Sequence, residues 1–184
     1  MVASQPCRDA AGLFSPRSEL KSMSGMTLSE EQIRFIESGV SIGAASRDVR
    51  RVPSVSKVVG CRVAVDRRQV TVLVDATQAS QLLQDVAACG ALAVVFCLPS
   101  NHRTLQLKGR DAREVALAPG DAELAAHHRD AFAENLLPLG YALPFARATH
   151  NFQGSQLRAL SFTLSDLFEQ TPGPNAGMRL EPHR

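Results

Sequence analysis

The sequence predicts a mainly β fold with α-helices (α+β), in which about six antiparallel strands form a sheet closed on itself with flanking helices. Short apolar stretches rich in Val and Leu alternate with polar turns, which is typical of antiparallel strands. A helical pattern interrupts the strands before the fourth one, and a longer helix follows the fifth. A doubly wound parallel sheet needs a helix after nearly every strand, so this order of elements favours the closed antiparallel sheet.

The N-terminal region divides into a predicted tail and a first helix. Residues 1–26 are rich in Ser, Ala, Arg and Lys without sustained periodicity, so we expect a mobile tail. A helix is predicted over about residues 28–38, because Thr27 can cap it and Glu30 can reach back to the cap. The Gly of Ser38-Gly39 is typical of a helix end.

Three predicted strands follow. The first covers residues 40–45, and the polar turn 47–51 separates it from the second, 52–65, which is rich in β-branched residues. Gly60 inside the second strand predicts a bulge or a close approach of another backbone segment. The third strand, 69–74, follows a tight turn and should form a hairpin with the second.

The middle of the chain predicts one helix between strands. Apolar residues at helical spacing indicate a helix over residues 81–90, which Asp75 or Thr77 would cap. The nearly continuous apolar run 91–98 predicts a central strand that is buried on both faces. Alternation of apolar and polar residues predicts a further strand over 103–115.

The second half predicts a long helix and a last strand. The helix covers about residues 121–137, the segment 144–151 fits neither pattern clearly, and 157–168 is predicted as a strand. Residues 171–184 are rich in turn-forming residues and are predicted to be a C-terminal tail. A single domain over 27–170 is therefore expected.

Composition excludes several classes of partner. The chain has 184 residues and a net charge of +2 without a run of Lys or Arg, so we expect no nucleic-acid binding. No apolar run is long enough to cross a bilayer, and no secretory signal is recognisable, so we expect a cytoplasmic protein without a membrane partner. The cysteines contain no Cys-x-x-Cys pair and are expected to be reduced thiols: Cys7, Cys61, Cys89 and Cys97.

No metal site or catalytic triad is evident from the sequence. His127 and His128 are adjacent on a predicted helix, where successive side chains diverge by about 100° and cannot chelate one metal together. We therefore expect no bound metal. A glycine-rich phosphate loop is also absent from the sequence.

Five motifs in a fixed order carry a family resemblance. They are Gly39-Val-Ser-Ile-Gly43, Val52-Pro-Ser-Val-Ser-Lys57, Ala79-Ser80-Gln81, Leu92-Ala-Val-Val-Phe96 and Arg103-Thr-Leu-Gln-Leu-Lys-Gly109. In this order they resemble the pyridoxamine 5′-phosphate oxidase-like flavoproteins, which are FMN-binding split barrels. The resemblance implies a six-stranded antiparallel split β-barrel, a homodimer, and an FMN site at the interface of the two copies.

The resemblance also implies which side chains contact FMN. Phosphate contacts come from the second strand and from the start of the inserted helix, and further polar contacts near the flavin ring come from a later strand. The matching positions here are Ser56, Lys57, Arg62, Thr77, Ser80, Gln81, Arg103 and Thr104.

Physical chemistry supports part of this set. A helix N-terminus offers free N–H groups and a favourable dipole to an anion, and Thr77 and Ser80 can add hydroxyl donors there. Lys57 and Arg62 are five residues apart on one predicted strand, so their side chains point to opposite faces unless Gly60 forms a bulge between them.

The chain departs from the family pattern at one point. Oxidases of this family usually carry an Arg-Lys pair after the helix-start Ser, whereas here Gln81-Leu82 follows Ser80. As a whole, the resemblance implies an FMN-dependent oxidoreductase that passes electrons between a reduced nicotinamide, or a small-molecule substrate, and an acceptor. It leaves two alternatives open: a non-catalytic protein of the same fold that binds or carries FMN or haem, and a structural dimer whose ligand site has been lost.

Overall fold

The computed structural model describes residues 25–181. Most of the tail predicted over 1–26 lies outside these described residues, and its last residue, Met26, is buried in the core. Within the described range the chain forms nine strands and four α-helices. No described helix combines the length and the apolar character that crossing a membrane requires.

The strands form two antiparallel sheets. The five-stranded sheet has the order β2-β1-β5-β6-β9, and the four-stranded sheet has the order β3-β4-β8-β7. The strands are β1 Ser41–Arg47, β2 Pro53–Lys57, β3 Gly60–Val63, β4 Gln69–Asp75, β5 Leu92–Cys97, β6 Thr104–Gly109, β7 Arg113–Val115, β8 Leu157–Thr163 and β9 Asp166–Glu169. This arrangement confirms the predicted α+β fold class and is consistent with a split barrel.

The strand number is nine rather than six because three predicted strands each divide between the two sheets. The predicted strand 52–65 becomes β2 and β3, the strand 103–115 becomes β6 and β7, and the strand 157–168 becomes β8 and β9. In each case the first half pairs in one sheet and the second half in the other. These divisions are the corners at which the sheet closes on itself.

Backbone hydrogen bonds show how one corner is built. The N–H of Val58 donates to the carbonyl of Ile42 in β1, at 3.1 Å, and the next N–H, of Val59, donates to the carbonyl of Leu73 in β4, at 2.8 Å. Consecutive residues thus pair with different sheets. The irregularity predicted at Gly60 is therefore a change of sheet one residue earlier rather than a bulge within one strand.

The helices lie at the ends and on one side of the two sheets. They are α1 Glu30–Ile36, α2 Ser80–Cys89, α3 Asp121–Leu136 and α4 Leu143–Ala148. A large apolar cluster fills the space between the sheets, a second one lies between α3 and the four-stranded sheet, and a third joins α3 to α4. Helix α3 therefore covers the outside of the four-stranded sheet.

The start of α1 differs from the prediction. The Ser29 hydroxyl accepts a hydrogen bond from the N–H of Gln32, at 3.2 Å, and the Gln32 side chain accepts one from the N–H of Ser29, at 2.8 Å. This reciprocal capping box replaces the predicted pair of Thr27 and Glu30. The later start leaves Met26 and Leu28 before the helix, and both side chains enter the core.

The described part of the predicted C-terminal tail packs against β9. The N–H of Glu169 donates to the carbonyl of Met178, at 2.9 Å, and the N–H of Leu180 donates to the carbonyl of Leu167, at 2.8 Å. Through these bonds the segment 178–180 covers the edge that β9 would otherwise leave open, which protects the sheet against pairing with another chain.

Candidate functional site

Lys57 lies at the end of β2 and contacts the loop that follows α4. Its ammonium group donates to the carbonyl oxygen of Thr149, at 2.8 Å, and its side chain is exposed. The same ammonium is close enough to His150 to lower the pKa of that imidazole, although burial is the larger cause. Since an ammonium has three donors, Lys57 keeps hydrogen-bonding capacity for a further acceptor.

The start of α2 contacts the same loop. The side chain of Gln78, just before the helix, donates to the carbonyl of Asn151, at 3.5 Å. The N-cap residue is Ala79, which supplies no capping side chain, and the first turn carries no acidic residue. The first turn of α2 is therefore favourable for an anion, and Ser80 is exposed beside it.

Asp75 and Thr77 form a turn before α2 instead of capping it. The N–H and the hydroxyl of Thr77 both donate to one carboxylate oxygen of Asp75, at 2.8 and 2.5 Å, and the N–H of Gln153 donates to the other, at 2.8 Å. Desolvation raises the pKa of Asp75, but these hydrogen bonds outweigh it and the pKa is lowered. The Thr77 hydroxyl is thus engaged within the protein.

A buried carboxylate connects β2 to α2. Asp85 accepts hydrogen bonds from the Ser54 hydroxyl, at 2.5 Å, and from the Gln81 amide, at 2.9 Å. Ser56 lies on the same face of β2 as Ser54, and its hydroxyl donates to the carbonyl of Lys57, at 3.3 Å. The side chain of the predicted site residue Gln81 is therefore engaged by Asp85. No motif in the sequence pointed to Asp85.

Arg62 lies elsewhere in the molecule. It belongs to β3 in the four-stranded sheet, and its guanidinium donates to the carboxylate of Asp121, at 2.8 Å. Asp121 is buried at the first position of α3, so this ion pair connects α3 to the sheet. The bulge that would turn Lys57 and Arg62 to the same face of one strand is absent from this described segment, because the chain changes sheets between them.

Arg103 and Thr104 also lie apart from Lys57. The guanidinium of Arg103 contacts Glu31 on α1, at 2.7 Å, and lies over the ring of Phe35. Thr104 is buried on β6, three strands away from β2, which corresponds to roughly 14 Å across a sheet.

The predicted set thus divides into three groups. Lys57 contacts the same loop as Gln78, which precedes α2, and Thr77, Ser80 and Gln81 lie at that start of the helix. Ser56 lies on the β2 face that meets α2. Arg62 belongs to the other sheet, and Arg103 with Thr104 lies near α1. Among the described residues no group of three or more His, Cys, Asp or Glu side chains is arranged to hold a metal ion.

Comparisons with known proteins give similarity in fold. No protein-family model matches the chain, and no curated protein matches it significantly. One solved structure superposes with a TM-score of 0.51 at 12% identity, covering 80% of this chain and 88% of its own. At this identity the likeness is one of fold.

Two further solved structures are similar to this chain. HupZ from Group A Streptococcus has 13% identity and a TM-score of 0.49, covering 82% of this chain and 99% of its own. A pyridoxamine 5′-phosphate oxidase-related, FMN-binding protein from Nostoc punctiforme has 13% identity and a TM-score of 0.46, covering 86% of this chain and 100% of its own. Solved structures of the group named in the sequence analysis are thus among those that this chain resembles.

Proposed function

We propose that this chain is an FMN-binding split-barrel flavoprotein that acts as a homodimer. In the proposed reaction it passes electrons between a reduced nicotinamide, or a small-molecule substrate, and an acceptor. FMN supplies the redox chemistry when it is bound, and the protein binds and orients it. The three cysteines within the described residues are free thiols, in keeping with the proposed location in a reducing cytoplasm.

The observation that carries the proposal is the arrangement of Lys57 and the start of α2 around one loop. Lys57 contacts this loop at Thr149, and Gln78 contacts it at Asn151. The ammonium group and the uncapped, acid-free first turn of α2 both favour a doubly charged phosphate.

The residues present fit FMN with fewer charged contacts than the family pattern. Lys57 and Ser80 would hold the phosphate, together with N–H groups of the first turn of α2. Gln81 would keep its hydrogen bond to Asp85 and so stabilise the first turns of α2. One ammonium in place of several cations implies weaker binding than in the oxidases, because each charge-assisted hydrogen bond contributes roughly 1.5–3 kcal/mol.

Replacing Lys57 tests the phosphate contact. We expect Lys57→Ala to raise the Kd for FMN at least about ten-fold, because a charge-assisted hydrogen bond is lost. Quenching of flavin fluorescence during titration measures the Kd. Riboflavin, which lacks the phosphate, should bind wild type and variant about equally.

Arg34→Ala is the matched control, since Arg34 is exposed on α1 and its charge is remote from this loop. It should leave the Kd for FMN unchanged. Equal Kd values for wild type and Lys57→Ala would exclude Lys57 from the site. Adding NADPH to the FMN-loaded protein then separates the two remaining functions: bleaching of the flavin indicates an oxidoreductase, and a stable oxidised spectrum indicates a carrier.

The proposed homodimer needs a surface for the second copy, and the five-stranded sheet offers one. On its outer face, Gly43 of β1 lies opposite Val95 of β5. A Cβ atom added to Gly43 would meet nothing within 4 Å, so the space above this face is open among the described residues. We infer that a second copy packs here.

Val95→Glu should convert the dimer to a monomer. The change would place one carboxylate from each copy in the proposed interface, opposite the neutral Gln106, and burying a charge without an ion-pair partner is costly. Size-exclusion chromatography with light scattering measures the mass. Val65→Glu is the control, since Val65 is 101% exposed in a turn and should leave the mass unchanged. A dimer that persists in Val95→Glu would rule out this interface.

A further inference from the structure

A second cavity lies at the opposite end of α2 from Ser80. It has a volume of about 610 Å³, within the range of small-molecule sites. Ala45 and Ala93, neighbours on β1 and β5, form part of an apolar floor, and the cavity reaches Cys89 at the end of α2. All of its lining comes from one chain and excludes Gly43 and Val95, so the cavity lies at the edge of the face proposed for the second copy.

The walls of this cavity are strongly cationic. Four cationic side chains and one carboxylate line it: Arg47, Arg51, Lys108, Arg110 and Asp166. The carboxylate is already engaged by Arg179 outside the cavity, at 2.9 Å, and lies 3.8 Å from Arg110. Desolvation raises the pKa of Asp166, but the hydrogen bond from the Ser165 hydroxyl and the two guanidinium groups lower it by more, so the group stays ionised.

Two of the guanidinium groups lack partners. Within residues 25–181, the side chains of Arg47 and Arg51 make no hydrogen bond and no ion pair. An unpaired guanidinium presents a fork of donors that matches a phosphate or a carboxylate in a bidentate geometry. The cavity therefore offers anion-binding groups that the fold itself does not use.

The turn that carries Arg51 is fixed by a neighbouring carboxylate. Asp48 accepts hydrogen bonds from the N–H of Val52 and the N–H of Arg50, both at 2.8 Å, and its pKa is lowered by these contacts. Arg51 is held in the left-handed region, at φ 68°, and its N–H donates to the carbonyl of Asp48, at 3.0 Å. A non-glycine residue in this conformation at a cavity rim is the kind of local strain that clusters at binding sites.

The opposite wall is also fixed. The thiol of Cys89 donates to the carbonyl of Arg47, at 3.3 Å, and the hydroxyl of Ser46 donates to the carbonyl of Ala91, at 2.7 Å. These bonds hold the end of α2 against the end of β1. The backbones that carry the two unpaired guanidinium groups are thus positioned before any ligand arrives, which lowers the entropic cost of binding.

We propose that this cavity binds a small molecule with an apolar body and a doubly charged anionic end, either a phosphate group or a pair of carboxylates. The anionic group would lie between Arg47 and Arg51, and the apolar body would cover Ala45 and Ala93. The site goes beyond the proposed FMN site, because it shares none of the residues assigned to that site and lies at the other end of α2.

Calorimetric titration of the purified full chain tests this site. Phenyl phosphate and phthalate are the probes, since each joins an aromatic ring to doubly charged anionic chemistry and together they distinguish phosphate from carboxylate ligands. We expect at least one probe to bind with one site per chain. Arg47→Gln combined with Arg51→Gln should raise its Kd at least ten-fold.

Matched variants separate this site from other causes. Arg34→Gln and Arg113→Gln change exposed arginines outside the cavity and should leave the Kd unchanged, as should Lys57→Ala. Should the double variant unfold, Arg110→Gln, whose side chain is 81% exposed, provides the second test and should also weaken binding. Absence of binding by both probes, or a Kd insensitive to the cavity arginines, overturns the proposal whether or not the protein binds FMN.

Discussion

Gly39→Ala should destabilise the protein by at least about 3 kcal/mol, since two costs combine there. Gly39 has φ 74°, a conformation that L-residues rarely adopt, and a Cβ atom would lie 2.5 Å from the Cβ of Ala131 and 2.7 Å from the backbone nitrogen of Phe132. The amide of Asn135 also holds α3 here by donating to the carbonyl of Gly39, at 3.0 Å. Helix α3 cannot withdraw without losing its packing. Urea unfolding measures the change.

Gly120→Ala separates the two costs. Gly120 has φ 91°, but a Cβ atom there would meet no atom of the described part of the chain within 4 Å. This substitution should therefore carry only the conformational cost and lower the free energy of unfolding by roughly 1–2 kcal/mol. If Gly39→Ala cost no more than Gly120→Ala, the close packing of α3 against Gly39 would be contradicted.

Acidification from pH 7 to pH 5 should lower the free energy of unfolding by roughly 3–4 kcal/mol, apart from other titrating groups. His128 and His150 are 3% and 4% exposed, and burial lowers the pKa of each to about 4. In the unfolded chain these two imidazoles bind protons near pH 6.5, whereas in the folded protein they remain neutral at that pH. Stability is therefore fully present above about pH 6.5 and declines as the pH falls towards 4.

The surroundings of the two imidazoles explain why they stay neutral. Their ring centroids are 6.3 Å apart, and the Nε2 atom of each is buried with no hydrogen-bond partner among residues 25–181. His150 also packs on the ring of Phe132, at 3.9 Å between centroids. Desolvation is the largest cause of both pKa shifts. The positive charge of Lys57 repels a protonated His150 and so lowers the pKa of His150 further.

Single variants assign the pH dependence. His150→Gln should remove about half of the slope of unfolding free energy against pH, and His128→Gln the other half. His127→Gln should preserve the slope, since His127 is exposed on the same helix. A slope that stays at the wild-type value in both buried variants would show that other groups cause the acid sensitivity.

Local patterns in the sequence predicted most of the elements. The hairpin of β3 and β4, the helix α2, the buried strand β5 and the helix α3 all follow from apolar periodicity and from turn residues. The three changes of sheet were not predictable in this way. A strand that bends into a second sheet keeps the same alternation of side chains, and only the pairing partners of Val58 and Val59 reveal the corner.

The candidate site was predictable only in part. Ser80 begins helix α2 and Lys57 ends strand β2, so local pattern placed both residues on the correct elements. Their joint contact with a phosphate stays a prediction. The engagement of Arg62 by Asp121 was hidden, because the two residues are 59 positions apart in the chain. A surface cation and a buried ion pair look alike in a sequence.

The cationic cavity was hidden for a related reason. Arg47 and Arg51 occur in what the sequence indicates as a polar turn, whereas Lys108 and Arg110 lie in the predicted strand 103–115, far along the chain. Only the pairing of β1 with β5, and of β5 with β6, brings these two segments to one end of the sheet. Charge patterns within either segment alone gave no sign of a shared site.

A crystal structure of the protein grown with FMN tests the central claim most directly. The account predicts that the phosphate lies within hydrogen-bond distance of the Lys57 ammonium and of N–H groups in the first turn of α2. A phosphate found between Arg47 and Arg51 instead, or a protein that stays empty at saturating FMN, would contradict it.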